Sequence, residues 1–155
     1  MTGSSKAEKF FNDYVINSYS DWLADELVEH KAMALATNVC HLADHFWESF
    51  SSQPAKVFSQ SNLRNFKDQL SLKSIDYALI RDVCDAHKHC KLTRNSRNVT
   101  GSEQTSVGSM GWDEAKWDDA EWDKKEEIVI IDDNGEKHHF KAVVERAISY
   151  WRRKL

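Results

Sequence analysis

Apolar residues recur at steps of three and four along the first two thirds of the chain, which is the spacing of amphipathic helices. From residue 6 to about residue 19 this spacing predicts a short first helix, and Ser20 and Asp21 then form the predicted cap of the next one. A second, long helix is predicted from Asp21 towards Phe50. Its core-facing stripe consists of Leu35, Val39, Leu42, Phe46 and Phe50.

Breaks and caps divide the rest of the helical pattern. Serines and Pro54 interrupt it at residues 51–54, because serine competes for backbone hydrogen bonds and proline cannot continue a helix. A further short helix is predicted from its apolar positions, Leu63, Phe66 and Leu70. Ser74 is suited to cap a helix at residues 75–92. The last predicted helix has its apolar positions at Val143, Val144, Ala147, Ile148 and Trp151.

The segment after residue 92 has a different character. Residues 93–111 are mostly polar and small, which predicts a long loop. A five-residue repeat follows, in which Trp112, Trp117 and Trp122 each precede an aspartate. Since a period of five matches neither a helix nor a strand, the three indoles cannot share one face of a regular element. We expect irregular structure that lays some of them onto the domain.

Two short strands are predicted after the repeat. Residues 128–131 and 136–140 flank an Asn134–Gly135 pair, the strongest short-range signal for a hairpin. A hairpin alone is only marginally stable in water, so this one must pack on the helices.

The fold class follows from these elements and from the composition. The 155 residues are 41% hydrophobic and 30% charged, with one proline, which is the balance of a globular protein with a proper core. The sequence predicts a single mainly α domain over residues 1–155, a helical bundle of about four to five helices with a C-terminal β-hairpin at 127–140. A polar loop and the Trp repeat occupy 93–125.

Charge and cysteine usage narrow the class of protein. A formal net charge of −4 argues against an extended, sequence-independent nucleic-acid surface, but it allows a small local basic site. Cys40, Cys84 and Cys90 are odd in number and form no CxxC pair, so neither a disulfide framework nor a zinc ribbon is indicated. Reduced thiols fit a cytoplasmic protein. No signal peptide and no membrane span is predicted.

The helix at residues 75–92 carries most of the candidate chemistry. Advancing by 100° per residue places His87 within the apolar arc, while Arg81, Asp85 and Lys88 fall on another. One interpretation is a core histidine with a backbone partner, beside a solvated pair of Arg81 and Asp85. The other is a histidine in a cleft or a subunit interface, because burying an imidazole without a partner costs roughly 1 to 3 kcal/mol. Beside an arginine, it could perform acid/base work on a bound phosphate.

Arg81, Asp82 and His87 together resemble the motif of the HEPN superfamily of helical nucleic-acid-cutting domains, in which an arginine is followed by a polar residue and the histidine comes after four to six intervening positions. The resemblance implies a metal-independent ribonuclease that acts as a homodimer on RNA, with two motif helices facing one another across a composite site. It implies that Arg81 holds the scissile phosphate and that His87 assists proton transfer at the 2′-hydroxyl. No cofactor is implied.

Two alternatives stand beside this hypothesis. His41, Asp44 and His45 form a second constellation, and the two imidazoles four residues apart project from one helix face, as a metal site requires. A His/Asp metal-binding bundle would need a third ligand from another helix. The Trp repeat indicates instead a non-catalytic interaction module that binds a protein partner, since tryptophan is enriched at interfaces. The absence of a phosphate-binding glycine loop and of a serine elbow leaves a nucleotide hydrolase or an esterase without support.

Overall fold

The computed structural model describes residues 3–93, 98–109 and 126–155, and they form a mainly α fold with a small antiparallel sheet. The helices are α1 (Lys6–Phe10), α2 (Asn17–Leu23), α3 (Glu29–Phe50), α4 (Leu63–Lys73), α5 (Ile75–His89) and α6 (Phe140–Lys154), with a π-helical turn, Phe11–Ile16, joining α1 to α2. Helix α3 packs against α1, α2, α4, α5 and α6, and α5 packs against α3, α4 and α6. The predicted fold class is confirmed.

The first helical segment is longer than predicted. It continues from Lys6 through the π-helical turn to Leu23, so Ser20 and Asp21 lie inside it and the predicted cap is wrong. The chain turns instead at residues 24–28, where the Trp22 indole Nε1 donates to the Glu26 carbonyl at 3.1 Å. Trp22 is fully buried, and tertiary packing of such a face contributes more to a helix than the preference of a capping residue does.

Aromatic rings fill the centre of the bundle. Phe46 of α3 lies 5.7 Å from the Phe66 ring of α4 and 5.6 Å from the Trp151 ring of α6, centroid to centroid. Tyr77 of α5 meets Trp151 edge to face at 6.0 Å. Aromatic contacts of this kind add to the large apolar area that each ring buries. Four helices are thus anchored on one cluster, which fixes where α5 lies.

The sheet has the strand order β1 (Thr105–Gly108), β2 (Glu127–Ile131), β3 (Lys137–His139), with both pairs antiparallel. The predicted hairpin is confirmed, although only Gly135 of the Asn-Gly pair has a positive φ, of 81°, and the connection spans residues 132–136. Ile128 and Ile130 are buried where β2 meets α6, which supplies the packing that a hairpin needs.

Strand β1 lies within residues 93–111, for which the sequence predicts a loop. Thr105 pairs with Ile130 and Val107 with Ile128 in the antiparallel register. Val107 is the one large apolar residue among the four residues of β1, so the strand shows no alternation of apolar and polar positions. Its pairing with β2 gives it its conformation, and β2 is distant in sequence.

Helix α5 begins as predicted and ends earlier. The Ser74 hydroxyl accepts a hydrogen bond from the Tyr77 backbone N–H at 3.1 Å, which is the predicted N-cap. The helix stops at His89 rather than at residue 92, because Cys90 has a φ of 61° and leaves the helical conformation.

Of the helices within the described ranges, none combines the length and the apolar character that crossing a membrane requires.

Replacing Ser74 with alanine tests this cap. The Tyr77 N–H would lose its acceptor in a buried position, so we expect the free energy of unfolding to fall by about 1 kcal/mol. Urea unfolding monitored by circular dichroism measures the change. Ser52, which is exposed in a turn, provides the matched serine-to-alanine control. Equal stability of the two variants would contradict the prediction.

Candidate functional site

Arg81 points from α5 towards α4. Its guanidinium donates to the Asp68 carboxylate at 2.9 Å and to the Ser71 hydroxyl at 3.2 Å, and its side chain is only 13% exposed. Burial lowers the pKa of Arg81, but the hydrogen bond to Asp68 and the attraction of the neighbouring acidic groups together outweigh it, and the pKa is raised. Arg81 is therefore a charged group that ties α5 to α4.

Asp82 lies on a different side and is 2% exposed. Its carboxylate accepts hydrogen bonds from the backbone N–H groups of Asn98, at 2.5 Å, and Val99, at 3.4 Å. A buried carboxylate is tolerable when backbone donors compensate for the loss of water. The contacts of Asp82 thus attach the segment that begins at Asn98 to α5 and stabilise the fold.

His87 is exposed although periodicity places it on the apolar stripe of α5, so its interpretation as a core histidine is wrong. Leu79, Val83 and Ala86 of that stripe are buried, but the stripe leaves the core in the last turn of α5. At the other end of the helix Ile75 is 59% exposed, which also departs from the predicted arc.

The His87 side chain lines an open surface depression of about 380 Å³. The first turns of α3 and two strands of the sheet supply the other walls, which are Glu29, His30, Met33, Thr105 and Ile128. The Glu29 carboxylate accepts a hydrogen bond from the Val107 N–H at 3.1 Å and so joins α3 to the sheet edge. Two exposed imidazoles, His30 and His87, therefore share one depression.

The structure does not bring the three motif residues into one site within a single chain. Arg81 faces α4, Asp82 holds the backbone at Asn98, and His87 faces the first turns of α3 and the sheet. The sequence analysis missed His30. No local signal could have found it, because its proximity to His87 depends on how α3 packs against α5.

The second constellation is separated by its own contacts. The His45 ring stacks on Phe10 with centroids 3.9 Å apart, Asp44 accepts from the Lys67 ammonium at 3.0 Å, and His41 is exposed. Over residues 3–93, 98–109 and 126–155, no group of three close metal-ligating side chains includes His41 or His45. The third ligand that the metal hypothesis requires is thus not found in these ranges.

One such group exists in the described part of the chain, at the hairpin turn, and consists of Asp132, Glu136 and His138. Asp132 Oδ1 accepts from the backbone N–H groups of Asn134 and Glu136, and Oδ2 lies 2.9 Å from His138 Nε2. Burial would raise the pKa of Asp132, but these hydrogen bonds outweigh it and lower the pKa. The contacts of this cluster close the turn between β2 and β3.

The remaining sequence candidates, Trp112, Trp117 and Trp122, lie outside the described residues.

Comparison with known proteins found no matching family model, no match among curated proteins and no match among solved structures. Function is therefore inferred from the depression around His87 and from the motif at residues 81–87.

Proposed function

We propose that the protein is a HEPN-like, metal-independent ribonuclease that acts as a homodimer, with His87 as an acid/base residue. The observation that carries the proposal is that His30 and His87 both line one open depression. Its volume lies at the lower end of the range for small-ligand sites, which suits a nucleotide unit of a larger chain.

Two imidazoles are sufficient for RNA cleavage without a metal. One imidazole removes the proton from the 2′-hydroxyl as its oxygen attacks the neighbouring phosphorus, and the other protonates the departing 5′-oxygen. An imidazole can act in either role near neutral pH. The products are a 2′,3′-cyclic phosphate and a 5′-hydroxyl end.

Local charge supports an anionic substrate in spite of the net charge of −4. The sequence from residue 87 to residue 97 contains Lys88, Lys91, Arg94 and Arg97 and no acidic residue. Clustered cations of this kind attract phosphates and release counterions. The carboxylate of Glu29 in the depression already accepts a backbone hydrogen bond from Val107.

The proposed dimer follows from the placement of Arg81. Because Arg81 and His87 face different sides of α5, a site that contains both needs one residue from each of two copies. Arg81 would then exchange Asp68, whose side chain is 55% exposed, for the scissile phosphate.

We also propose a cytoplasmic location, since all three cysteines are free thiols.

An RNA-cleavage assay of the unmodified protein tests the proposal. We expect single-stranded RNA to be cut equally with and without a metal chelator, leaving 2′,3′-cyclic phosphate ends. We expect a dimer by sedimentation equilibrium. A DNA strand of the same sequence is the control, because it has no 2′-hydroxyl and must stay intact. Absence of cleavage, or cleavage that the chelator abolishes, would contradict the proposed function.

A further inference from the structure

Cys40 of α3 and Cys84 of α5 face one another where the two helices pack. Their exposed fractions are 6% and 8%. The Cys84 sulfur lies 3.8 Å from the Thr37 hydroxyl, and Thr37 precedes Cys40 by three residues. Side chains three apart share a helix face, so Cys84 is within reach of both Thr37 and Cys40.

The two thiols interact unequally. A hydrogen bond with Cys40 stabilises the Cys84 thiolate and lowers its pKa to about 7, with a further contribution from Thr37. The same hydrogen bond, together with burial, raises the pKa of Cys40. Near neutral pH, Cys84 is therefore partly a thiolate, the nucleophilic form, while Cys40 stays protonated beside it.

We propose that Cys40 and Cys84 form a peroxide-sensitive dithiol that closes to an intramolecular disulfide between α3 and α5. The Cys84 thiolate attacks one oxygen of a hydroperoxide, the O–O bond breaks, and a Cys84 sulfenic acid and water or an alcohol result. Cys40 then attacks the sulfenic sulfur, loses its proton and displaces hydroxide, which leaves as water. Two thiols and one peroxide are consumed, and the two electrons pass from sulfur to the peroxide.

The geometry requires little movement. Cys84 lies 3.8 Å from Thr37, and Cys40 follows Thr37 on the same face of α3, so the sulfurs can approach to about 2.05 Å by side-chain adjustment and a small shift of two packed helices. The disulfide would brace the two helices that carry His30 and His87. The exposed Cys90, which follows α5, has no part in this pair.

Mass spectrometry of a Cys90→Ser protein tests the proposal without interference from the exposed thiol. After treatment with hydrogen peroxide, we expect a mass decrease of two hydrogen atoms and loss of both thiols to alkylation under denaturing conditions. A peptide that links Cys40 to Cys84 should appear on digestion, and dithiothreitol should restore both thiols.

Two further variants in the same background assign the roles. With Cys40→Ala, the Cys84 sulfenic acid has no resolving thiol and should be trapped by dimedone. With Cys84→Ala, Cys40 should remain alkylatable. If the Cys90→Ser protein keeps both thiols at a peroxide dose that oxidises glutathione completely, the proposal is wrong. RNA cleavage is not part of this readout, so the result is independent of the proposed ribonuclease function.

Discussion

Replacing His87 with alanine is expected to lower the rate of RNA cleavage by about 10²- to 10⁴-fold, the usual contribution of a general acid or base. The exposed imidazole contributes little to folding, so the free energy of unfolding should change by less than about 0.5 kcal/mol. Initial cleavage rates of a defined RNA, together with urea unfolding of the same preparation, measure both effects. The combination of lost activity and retained stability distinguishes a catalytic His87 from a structural one.

His89 offers a matched control for this experiment. It lies two residues further along α5 and is also exposed, but it is not among the residues that line the depression. His89→Ala should therefore retain cleavage, whereas His30→Ala should lose it to an extent similar to His87→Ala. Equal rates for His87→Ala and the native protein would exclude His87 from the chemistry and would contradict the proposed function.

Replacing Asp82 with alanine is expected to lower the free energy of unfolding by about 3 kcal/mol. Hydrogen bonds to a charged group contribute about 1.5 to 3 kcal/mol each, and the carboxylate accepts two from the backbone of Asn98 and Val99. For a domain of this size the melting temperature should fall by roughly 6 to 12 °C. Asp82→Asn keeps one acceptor oxygen and should recover part of the loss.

A surface carboxylate supplies the comparison. Asp68 is more than half exposed, and its ion pair with Arg81 is of the kind that contributes at most about 1 kcal/mol. Asp68→Ala should therefore be clearly more stable than Asp82→Ala. The opposite outcome for Asp82, unchanged stability with abolished RNA cleavage, would place its carboxylate in the reaction instead of in the scaffold.

Several elements could be predicted from the sequence alone, because the patterns that indicate them are local. The stripe along α3 repeats at helical spacing, and Leu35, Val39, Leu42 and Phe46 are all buried. The hydroxyl of Ser74 needs only its own helix to form a cap. The hairpin of β2 and β3 is likewise encoded in two adjacent runs and the turn between them.

The limits of the first two helices needed the tertiary structure. Ser20 and Asp21 are good capping residues, yet the helix continues past them because burial of Trp22 in the core stabilises its last turn. Strand β1 forms because β2 offers it a partner. In both cases a contact with a distant segment contributes more than the local preference.

The candidate site was also determined partly by the sequence and partly by the tertiary structure. From the sequence alone, periodicity assigned Arg81 and His87 to different arcs of one helix, and the structure directs them to different neighbours, α4 and the first turns of α3. Periodicity gives an angle around the helix axis, but it does not say where along that axis the covering elements end. Only the packing of α3 and the sheet against α5 decided that His87 is exposed in a depression beside His30, because burial depends on neighbours that are far away in the chain.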